Sequence, residues 1–451
     1  MSHYKVFVLI SVAIITTIYT SSCHKARKTM ASSDKYRLVW NDDPTSTMTI
    51  AWNQIDGENP SVVYDTIDFG RNESDYQMQQ EPQLIKEKYG MKTHFAKLSN
   101  LEADKNYYFL VTDSKGISER FWFKTAPNKP KAFTFIVGGD TKSYGAALKA
   151  GRASNRLVAK LRPLFVLFPG DYTSGKGISA KDWQQWLNDW SEQTTTADGR
   201  MIPIIPIHGN HENGDLGNLG YIFNAPSQTK DSAGIYYSLS IGGDFLHIIA
   251  LNSEIETGGL QKEWLKNDLE NHKDFTFKIA AYHKPFWPHT LKKKEHEYQY
   301  LQWSGLFYQY KLSLSFDADS HMSKITYPLR PDSSENSYMG YIIDHKSGTL
   351  FLGEGSWGAK PRPNNDDKPW TYKSGSFNGF KWIHIIPEQN GQQAQIKIFP
   401  VISVEPYKKN NIVLYDSIVE SLSENTLFNI PKNLKIQELP NGKNYISYPF
   451  E

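Results

Sequence analysis

Short runs of apolar, β-branched and aromatic residues, separated by clusters of Asp, Asn, Gly and Ser, fill residues 35–126. The runs are YRLVWN, TMTIAWNQ, SVVYDTIDFG, THFAKLSNL, NYYFLVTDS and ERFWFKTAP. Short strands at regular spacing with turn signals between them predict a small β-sandwich. The two prolines and two lysines of TAPNKPKA, residues 125–132, then indicate a linker.

The pattern changes after the linker to apolar runs that each end in polar residues: FTFIVGGD, PLFVLFPGD, MIPIIPIHGNHE, DFLHIIALNS and FTFKIAAYHKP. Such runs are typical of buried strands. The segments AALKAGRASNRLVAKL and AKDWQQWLNDWSEQ between them predict helices, the second with a stripe of three Trp that we assign to the core. Alternating strands and helices predict an α/β layered domain over residues 131–400, with functional groups at the strand ends.

Strand patterns return after residue 340 and are expected to complete the sheets. Residues 401–451 form a C-terminal extension, in which a short helix is expected near SIVESLS. At 451 residues the chain is long enough for two or three domains. Its 50 Lys and Arg nearly balance 48 Asp and Glu, and no long basic block is present, so nucleic acid is not an expected partner.

The N-terminus carries a targeting pattern. A Lys precedes an apolar run that ends in small residues just before Cys23, which predicts a signal peptide over residues 1–22. Cys23 is the only cysteine, so a disulfide within one chain is impossible. Its position resembles a bacterial lipobox, with Thr20 where Leu is usual, and implies lipidation of Cys23 followed by a polar tether, residues 23–34. The alternative is an ordinary signal cleaved nearby. The expected location is extracytoplasmic, on a bacterial membrane, with the lipid as the only membrane contact.

Carboxylates, an amide and imidazoles collect at the ends of the apolar runs. They are Asp140, Asp171, Asn210, His211, His283, Asp319 and His321. Oxygen and nitrogen donors of this kind suit two divalent or trivalent metal ions. Five motifs in order at five strand ends are strong evidence for a metal site, although any one of them alone would be weak.

At these residues the sequence resembles the purple acid phosphatases within the calcineurin-like metallophosphoesterases. The family order is a lone Asp, GDxxY, GNH followed by Asp or Glu, a His before a Pro, and GHxH. The β-sandwich also resembles the family's N-terminal domain, which is similar to fibronectin type III, so the likeness covers residues 35 to about 400. It implies an αββα catalytic domain and two metal ions, which could be iron, manganese, zinc or magnesium.

The resemblance also implies a role for each matched residue. Asp140, Asp171 and His321 would hold the first metal, with Asp171 bridging. Asn210, His283 and Asp319 would hold the second. His211 would face the substrate and Glu212 would orient it. A further substrate-facing histidine would be His289 or His296, and the spacing leaves both open.

Two positions depart from the family pattern. Ser174 stands where the family has Tyr, and Tyr172, two residues earlier, could replace it only if the loop bends differently. We therefore expect no purple colour and a first site less committed to iron(III). Asp319 stands at the first His of GHxH, which favours manganese, magnesium or iron(II) over zinc at the second site. In an alternative alignment His321 is that first His and Ser323 the second.

The implied activity is hydrolysis of phosphomonoesters by a hydroxide that bridges two metals, acting on a small-molecule or glycan phosphoester. A phosphodiesterase on the same core is the alternative, and a non-catalytic surface binding protein on a decayed phosphatase fold is a third hypothesis. Lys142 could approach the phosphate, whereas Lys292, Lys293 and Lys294 are expected to form a solvated charge run.

Overall fold

The computed structural model describes residues 30–230, 233–353, 355–405 and 412–450. The predicted signal peptide, the lipidation of Cys23 and most of the tether lie outside these residues.

The strands of the N-terminal part are β1 (Ser33–Val39), β2 (Met48–Gln54), β3 (Ser61–Asp65), β4 (Met78–Gln80), β5 (Leu84–Lys88), β6 (Met91–Leu98), β7 (Asn106–Asp113), β8 (Gly116–Ile117) and β9 (Phe121–Lys124). The strands that follow are β10 (Phe133–Val137), β11 (Val166–Phe168), β12 (Ile204–Pro206), β13 (Tyr237–Ile241), β14 (Leu246–Ala250), β15 (Phe277–Ala281), β16 (Leu314–Phe316), β17 (Ser323–Pro331), β18 (Tyr341–Ile343), β19 (Thr349–Gly353), β20 (Thr371–Gly375), β21 (Asn378–Ile386), β22 (Gln395–Val404), β23 (Lys435–Ile436) and β24 (Ile446–Tyr448). The helices are α1 (Gly145–Leu161), α2 (Ala180–Thr194), α3 (Asn218–Phe223), α4 (Gly259–Asn271) and α5 (Glu297–Gln309), with 3₁₀ turns at Glu73–Asp75 and Asn210–Glu212.

The N-terminal part is the β-sandwich expected from its strand pattern. One of its sheets has the order β4-β3-β7-β8, with β9 also on β7. The other is formed by β1, β2, β6 and β5. Apolar residues of both sheets, such as Trp52 and Phe109, are fully buried in one shared core. The two sheets therefore stabilise each other by burying their facing apolar side chains.

The catalytic part contains two further layers of strands between helices, as the fold class expects. In one sheet β10, β11 and β12 run parallel, and β21 and β22 complete its edge. In the other, β14, β15, β16 and β19 run parallel in the order β13-β14-β15-β16-β19-β17-β18. Helix α1 packs on β21 and β22, while α5 packs on β17 and on α4. Among the described residues, no helix has the length and apolarity needed to cross a membrane.

Helices α1 and α2 confirm the predicted helical segments and show why they end where they do. Arg162 caps α1 in a left-handed conformation with φ of 51°, and a proline follows it directly. Ser179 caps the start of α2 by accepting a hydrogen bond from the Asp182 backbone N–H at 3.3 Å. The Trp stripe of α2 is buried, as expected, with Trp186 and Trp190 edge-on to Phe168 of β11.

Two connections go beyond the sequence prediction. Strand β1 pairs in parallel with β12, so one sheet runs from the N-terminal sandwich into the catalytic part. Strand β22 continues through position 400, and β23 and β24 of the C-terminal extension pair with it. The short helix expected near residues 417–423 is wrong. A turn at residues 416–418 stands there, because α1 holds this segment through Lys160, which donates to the Val419 carbonyl at 2.7 Å.

Candidate metal centre

The two sheets of the catalytic part place the predicted metal ligands together at their carboxyl ends. Asp140, Asp171 and Asn210 follow β10, β11 and β12 of one sheet. His283, Asp319 and His321 follow β15 and β16 of the other. Polar loops at the carboxyl ends of parallel strands meet at one edge, which is where open α/β sheets bind ligands.

Four of these residues have a left-handed backbone conformation, with positive φ, that residues other than glycine rarely adopt. The φ angles are 65° at Asp140, 60° at Asp171, 65° at Asp319 and 53° at His321. Such left-handed residues cost about 1–3 kcal/mol each and persist where the surrounding structure requires them. All four residues are buried, as expected of a site held in place by its surroundings.

Asp140, Asp171 and His321 form one group of donors. One donor atom from each lies within 4.8 Å of the others. His321 Nε2 is 3.3 Å from Asp140 Oδ1, and that buried oxygen accepts no hydrogen bond from any described residue. The other Asp140 oxygen accepts a hydrogen bond from the Asp319 backbone N–H at 2.9 Å. An unsatisfied buried carboxylate oxygen facing an imidazole nitrogen and a second carboxylate fits a cation between them.

Asn210, His283 and Asp319 form a second group around the other side of Asp171. His283 Nε2 lies 3.2 Å from Asp171 Oδ1 and 3.6 Å from Asp319 Oδ1. The terminal amide of Asn210 is 3.1 Å from His283 Nε2 and 2.9 Å from Asp319 Oδ1. Donor atoms bound to one octahedral ion at about 2.1 Å stand about 3 Å apart, so these separations also fit a metal ion.

His283 is oriented for binding a metal through Nε2. Its Nδ1 donates to the Pro169 carbonyl at 2.7 Å, so Nε2 faces the carboxylates and is the atom that would give up its proton to a metal ion; burial lowers the pKa of His283, but the facing Asp171 and Asp319 raise it well above its usual value. Burial alone would raise the pKa of Asp171, but the facing His283 and Lys142 hold it well below its usual range. Asp171 thus presents a charged carboxylate to both groups of donors.

His211 lies beside this bridging carboxylate. Its backbone N–H donates to Asp171 Oδ1 at 2.9 Å, and its Nε2 stands 3.4 Å from Asp171 Oδ2 and 3.1 Å from the Lys142 ammonium. Burial lowers the pKa of His211, although Asp171 opposes this. About a quarter of the side chain is exposed (26%), so the ring can meet a ligand from solution.

Glu212 does not orient the ring of His211, which corrects the sequence prediction. Its carboxylate is fully buried and accepts hydrogen bonds from the backbone N–H groups of Asp171 at 2.9 Å, Gly209 at 3.0 Å and Tyr172 at 3.1 Å. Burial and the nearby Asp171 raise the pKa of Glu212 to about 8. Glu212 therefore joins the loops after β11 and β12 and fixes their spacing, because buried backbone donors need partners.

The structure separates the two candidate substrate-facing histidines. His289 is buried, where its Nε2 is 2.8 Å from Thr371 Oγ1 and its ring meets the edge of Trp370. His296 is half-buried at the start of α5. Burial and the charge of Lys284 lower the pKa of His296, and the charge of Asp319 opposes this.

Tyr172 cannot take the place of the family tyrosine. Its ring is buried, stacked 4.7 Å from Phe168, and its hydroxyl lies 3.2 Å from the Phe168 and Ile207 carbonyls. Burial raises the pKa of Tyr172 well above its usual value. Ser174 instead accepts a hydrogen bond from the Ser143 backbone N–H at 3.1 Å.

Sequence reasoning missed two features of the site. Lys293 was assigned to a solvated charge run, but it forms an ion pair with Asp319, while Lys292 and Lys294 are exposed. Gly355 packs so closely on Asp140 that an added Cβ would lie 1.9 Å from Oδ2. The loop that follows binds the Asp140 carbonyl through the Ala359 N–H at 2.9 Å. Its content of Gly is the only signal for this in the sequence.

Family models match the N-terminal β-sandwich and the following part of the chain up to the end of the candidate ligands. The model for the N-terminal domain of purple acid phosphatases matches residues 33–125, and that for calcineurin-like phosphoesterases matches residues 133–322. The second match includes all six candidate ligands. The chain belongs to the purple acid phosphatase-like metallophosphoesterases.

Curated relatives of this metallophosphoesterase come from Arabidopsis thaliana. Purple acid phosphatase 23 is 25% identical over 271 residues, which are 51% of this chain and 56% of that protein. Probable purple acid phosphatase 20 is 24% identical over 256 residues, 53% of this chain and 56% of that protein. The chain thus matches just over half the length of these relatives.

Solved structures share the fold. A purple acid phosphatase from yellow lupin (Lupinus luteus) seeds has a TM-score of 0.66 at 13% identity, covering 82% of this chain and 72% of its own. The structure of PhoD has a TM-score of 0.58 at 12% identity, covering 86% and 90%. At these identities the likeness supports the fold of the metallophosphoesterase.

Proposed function

We propose that this metallophosphoesterase hydrolyses phosphomonoesters at a centre of two metal ions. The observation that carries the proposal is the meeting of two donor groups on the shared carboxylate of Asp171. Asp140, Asp171 and His321 would hold one ion. Asn210, His283 and Asp319, together with Asp171, would hold the other.

Two bound metal ions would supply Lewis-acid stabilisation of the phosphoryl oxygens and a hydroxide nucleophile near neutral pH. The three ligand carboxylates bring negative charge that balances part of the charge of such ions. Because the Tyr position holds Ser174, the part of the chain that the structure describes places no phenol in the first group of donors, and we propose that divalent ions occupy both sites.

His211 and His296 are the histidines that would act on the substrate. The His211 side chain is about a quarter exposed beside Asp171, which suits a hydrogen bond from Nε2 to phosphate or proton transfer to the leaving oxygen. His296 is half-buried at the start of α5, where the charge of Asp319, a ligand of the second group, acts on it. Glu212 acts indirectly, by holding the loops that carry Asp171 and His211.

The substrate and location remain part of the proposal. A small-molecule or glycan phosphoester is the proposed substrate, since the charge of the sequence is balanced and its basic residues form no long block of the kind that favours nucleic acid. The apolar run before the single cysteine supports export and lipidation at Cys23, with the mature protein held at a bacterial membrane.

The test is release of phosphate from p-nitrophenyl phosphate by protein loaded with manganese, zinc or iron(II). We expect metal-dependent turnover in the wild type and its loss in Asp171→Ala, together with a loss of bound metal. Asp274→Ala removes an exposed carboxylate after α4 and should keep full activity.

Two other results would change the proposal. Cleavage of bis-p-nitrophenyl phosphate without cleavage of the monoester would indicate a phosphodiesterase. No turnover of either compound with any of the three metals would favour the non-catalytic binding protein.

A further inference from the structure

We propose that Lys142 binds the substrate's phosphoryl group directly, as a fixed positive charge beside His211. The inference rests on the proposed function, because it concerns the phosphate bound at the same centre. Lys142 lies outside every motif used to recognise the metal ligands, two residues after Asp140.

The first step is the location of the ammonium. Lys142 Nζ lies 3.1 Å from His211 Nε2 and 3.3 Å from Asp171 Oδ2, and only 10% of the side chain is exposed. His211 Nε2 is the atom proposed to face the phosphate. A phosphoryl oxygen that reaches this nitrogen therefore also comes within hydrogen-bonding reach of Lys142.

The second step is the number of donors. A lysine ammonium has three N–H groups, and within the described part of the chain Asp171 and, while its Nε2 carries no proton, His211 accept two of them; protonation of His211 Nε2 would release the second. One donor remains for a ligand. A hydrogen bond from a cation to a phosphate oxygen is roughly twice as strong as a neutral one.

The third step separates Lys142 from a simple counter-charge. Lys293 pairs with Asp319, a ligand carboxylate, and its charge acts on His296, but among the described residues it donates no hydrogen bond to His211. Lys142 contacts both a ligand carboxylate and His211. The Lys142 ammonium contacts Asp171 Oδ2, whereas His283 and the His211 backbone N–H face Asp171 Oδ1. The ammonium therefore lies on the opposite side of the Asp171 carboxylate from the second group of donors.

The experiment measures binding of inorganic phosphate to manganese-loaded protein by isothermal titration calorimetry, with metal content determined on the same samples. In Lys142→Met we expect two metal ions per chain as in the wild type, and a Kd for phosphate raised about tenfold or more. Lys142→Gln, which keeps a polar end without the charge, should weaken phosphate binding in the same way. With p-nitrophenyl phosphate, the loss should fall mainly on KM.

Two further variants provide comparison. Lys149→Met removes an exposed lysine of α1 and should bind phosphate like the wild type. Lys293→Met removes the lysine on Asp319 and should change the Kd less than threefold. An equal effect of Lys142→Met and Lys293→Met would overturn the proposal, since it would indicate a general effect of charge on the ligands.

A Kd for phosphate in Lys142→Met that stays within twofold of the wild-type value would also overturn the proposal. Loss of bound metal as the only change in that variant would overturn it as well. If the wild type turns over substrate and Lys142→Met leaves the affinity for phosphate unchanged, only the role of Lys142 is refuted. Tight, Lys142-dependent phosphate binding without turnover supports Lys142 and refutes the hydrolase. A wild type that binds no phosphate refutes both.

Discussion

At the metal centre, neighbouring residues of one loop face opposite ways. Asp171 enters the site with φ of 60°, and Tyr172 turns into the core against Phe168. The sequence identifies both side chains but not their directions, because the left-handed turn that separates them depends on contacts from Gly209 and Glu212, which are distant in the chain. The candidate ligands follow from their strand-end positions, whereas the roles of Glu212 and Lys293 depend on contacts between loops.

The direction of Tyr172 predicts the colour of the protein. Iron-loaded wild type should lack the purple colour that a tyrosinate on ferric iron gives to the family, because Ser174 replaces the tyrosine and the Tyr172 phenol is buried in the core. Visible absorption of the oxidised, iron-loaded protein checks this. Purple colour that persists in Tyr172→Phe would show that some other tyrosine reaches the iron, and colour lost in Tyr172→Phe would refute the core position of Tyr172.

Gly355 is a second residue whose identity the site requires. With φ of 61° and space for a Cβ only 1.9 Å from Asp140 Oδ2, Gly355→Ala must displace the carboxylate or the loop. We expect the variant to lose bound metal and to unfold at a lower denaturant concentration. Its free energy of unfolding should fall by about 1–3 kcal/mol. Metal analysis and urea unfolding measure the two effects.

Gly305 provides the matched control. It lies within α5, and nothing stands within 4 Å of an added Cβ. Gly305→Ala should keep its metal and gain about 0.5–1 kcal/mol, as alanine does in helices. Equal behaviour of the two alanine variants would contradict the close contact at Asp140.

Among the secondary-structure elements, those with their own apolar pattern were predicted and those created by tertiary pairing were not. Helices α1 and α2 and strands β10, β11 and β12 follow from runs of apolar residues and from local caps. The two-residue β23 and three-residue β24 exist only as partners of β22. The helix expected near residue 417 fails for the same reason, since α1 supplies the partners of that backbone.

Strand β21 carries a buried histidine that should make stability depend on pH. His384 is 3% exposed, beside Trp382 and Phe399, and burial lowers its pKa to about 3. The unfolded chain, with a histidine pKa near 6.5, binds a proton before the folded chain does. Stability from this group is therefore present above about pH 6.5 and is lost as pH falls towards 3.

His384→Phe should remove this dependence. Between pH 7 and pH 5 the wild type should lose about 2 kcal/mol more than the variant in free energy of unfolding. Urea titrations at the two pH values measure the difference. His345→Gln, at an exposed histidine, should follow the wild type, and parallel pH profiles for wild type and His384→Phe would contradict the burial argument.

In the whole molecule, the C-terminal extension is part of the fold. Glu424 accepts hydrogen bonds from Arg162 at 2.9 Å and from Arg200 at 3.1 Å, and the Arg200 side chain is only 2% exposed. Burial lowers the pKa of Arg200 to about 10, and the Glu424 carboxylate opposes that effect. The extension thus provides a carboxylate partner for the buried guanidinium of Arg200 in the catalytic part. Local sequence patterns do not predict such a long-range contact.

Glu424→Ala should therefore destabilise the whole protein. We expect a loss of about 2 kcal/mol, below the range for fully buried pairs because Glu424 is partly exposed. Thermal or urea unfolding measures the loss. Glu420→Ala, at an exposed glutamate of the same segment, should keep a free energy of unfolding within about 0.5 kcal/mol of the wild type. An equal loss in both variants would contradict a stabilising role for the contacts of Glu424 with the two arginines.

The pairing of β1 with β12 has a mechanical consequence. A pull on the chain ahead of residue 30 acts first on the hydrogen bonds of Ala31 to Ile117 and of Ser32 to Asp113, and then on β1, which is bonded to β12 through the Trp40 N–H and the Ile204 carbonyl at 3.3 Å. Four residues after β12 ends, the chain reaches Asn210 and His211. Load applied at that end would thus be carried into the strand that leads to these two candidate site residues.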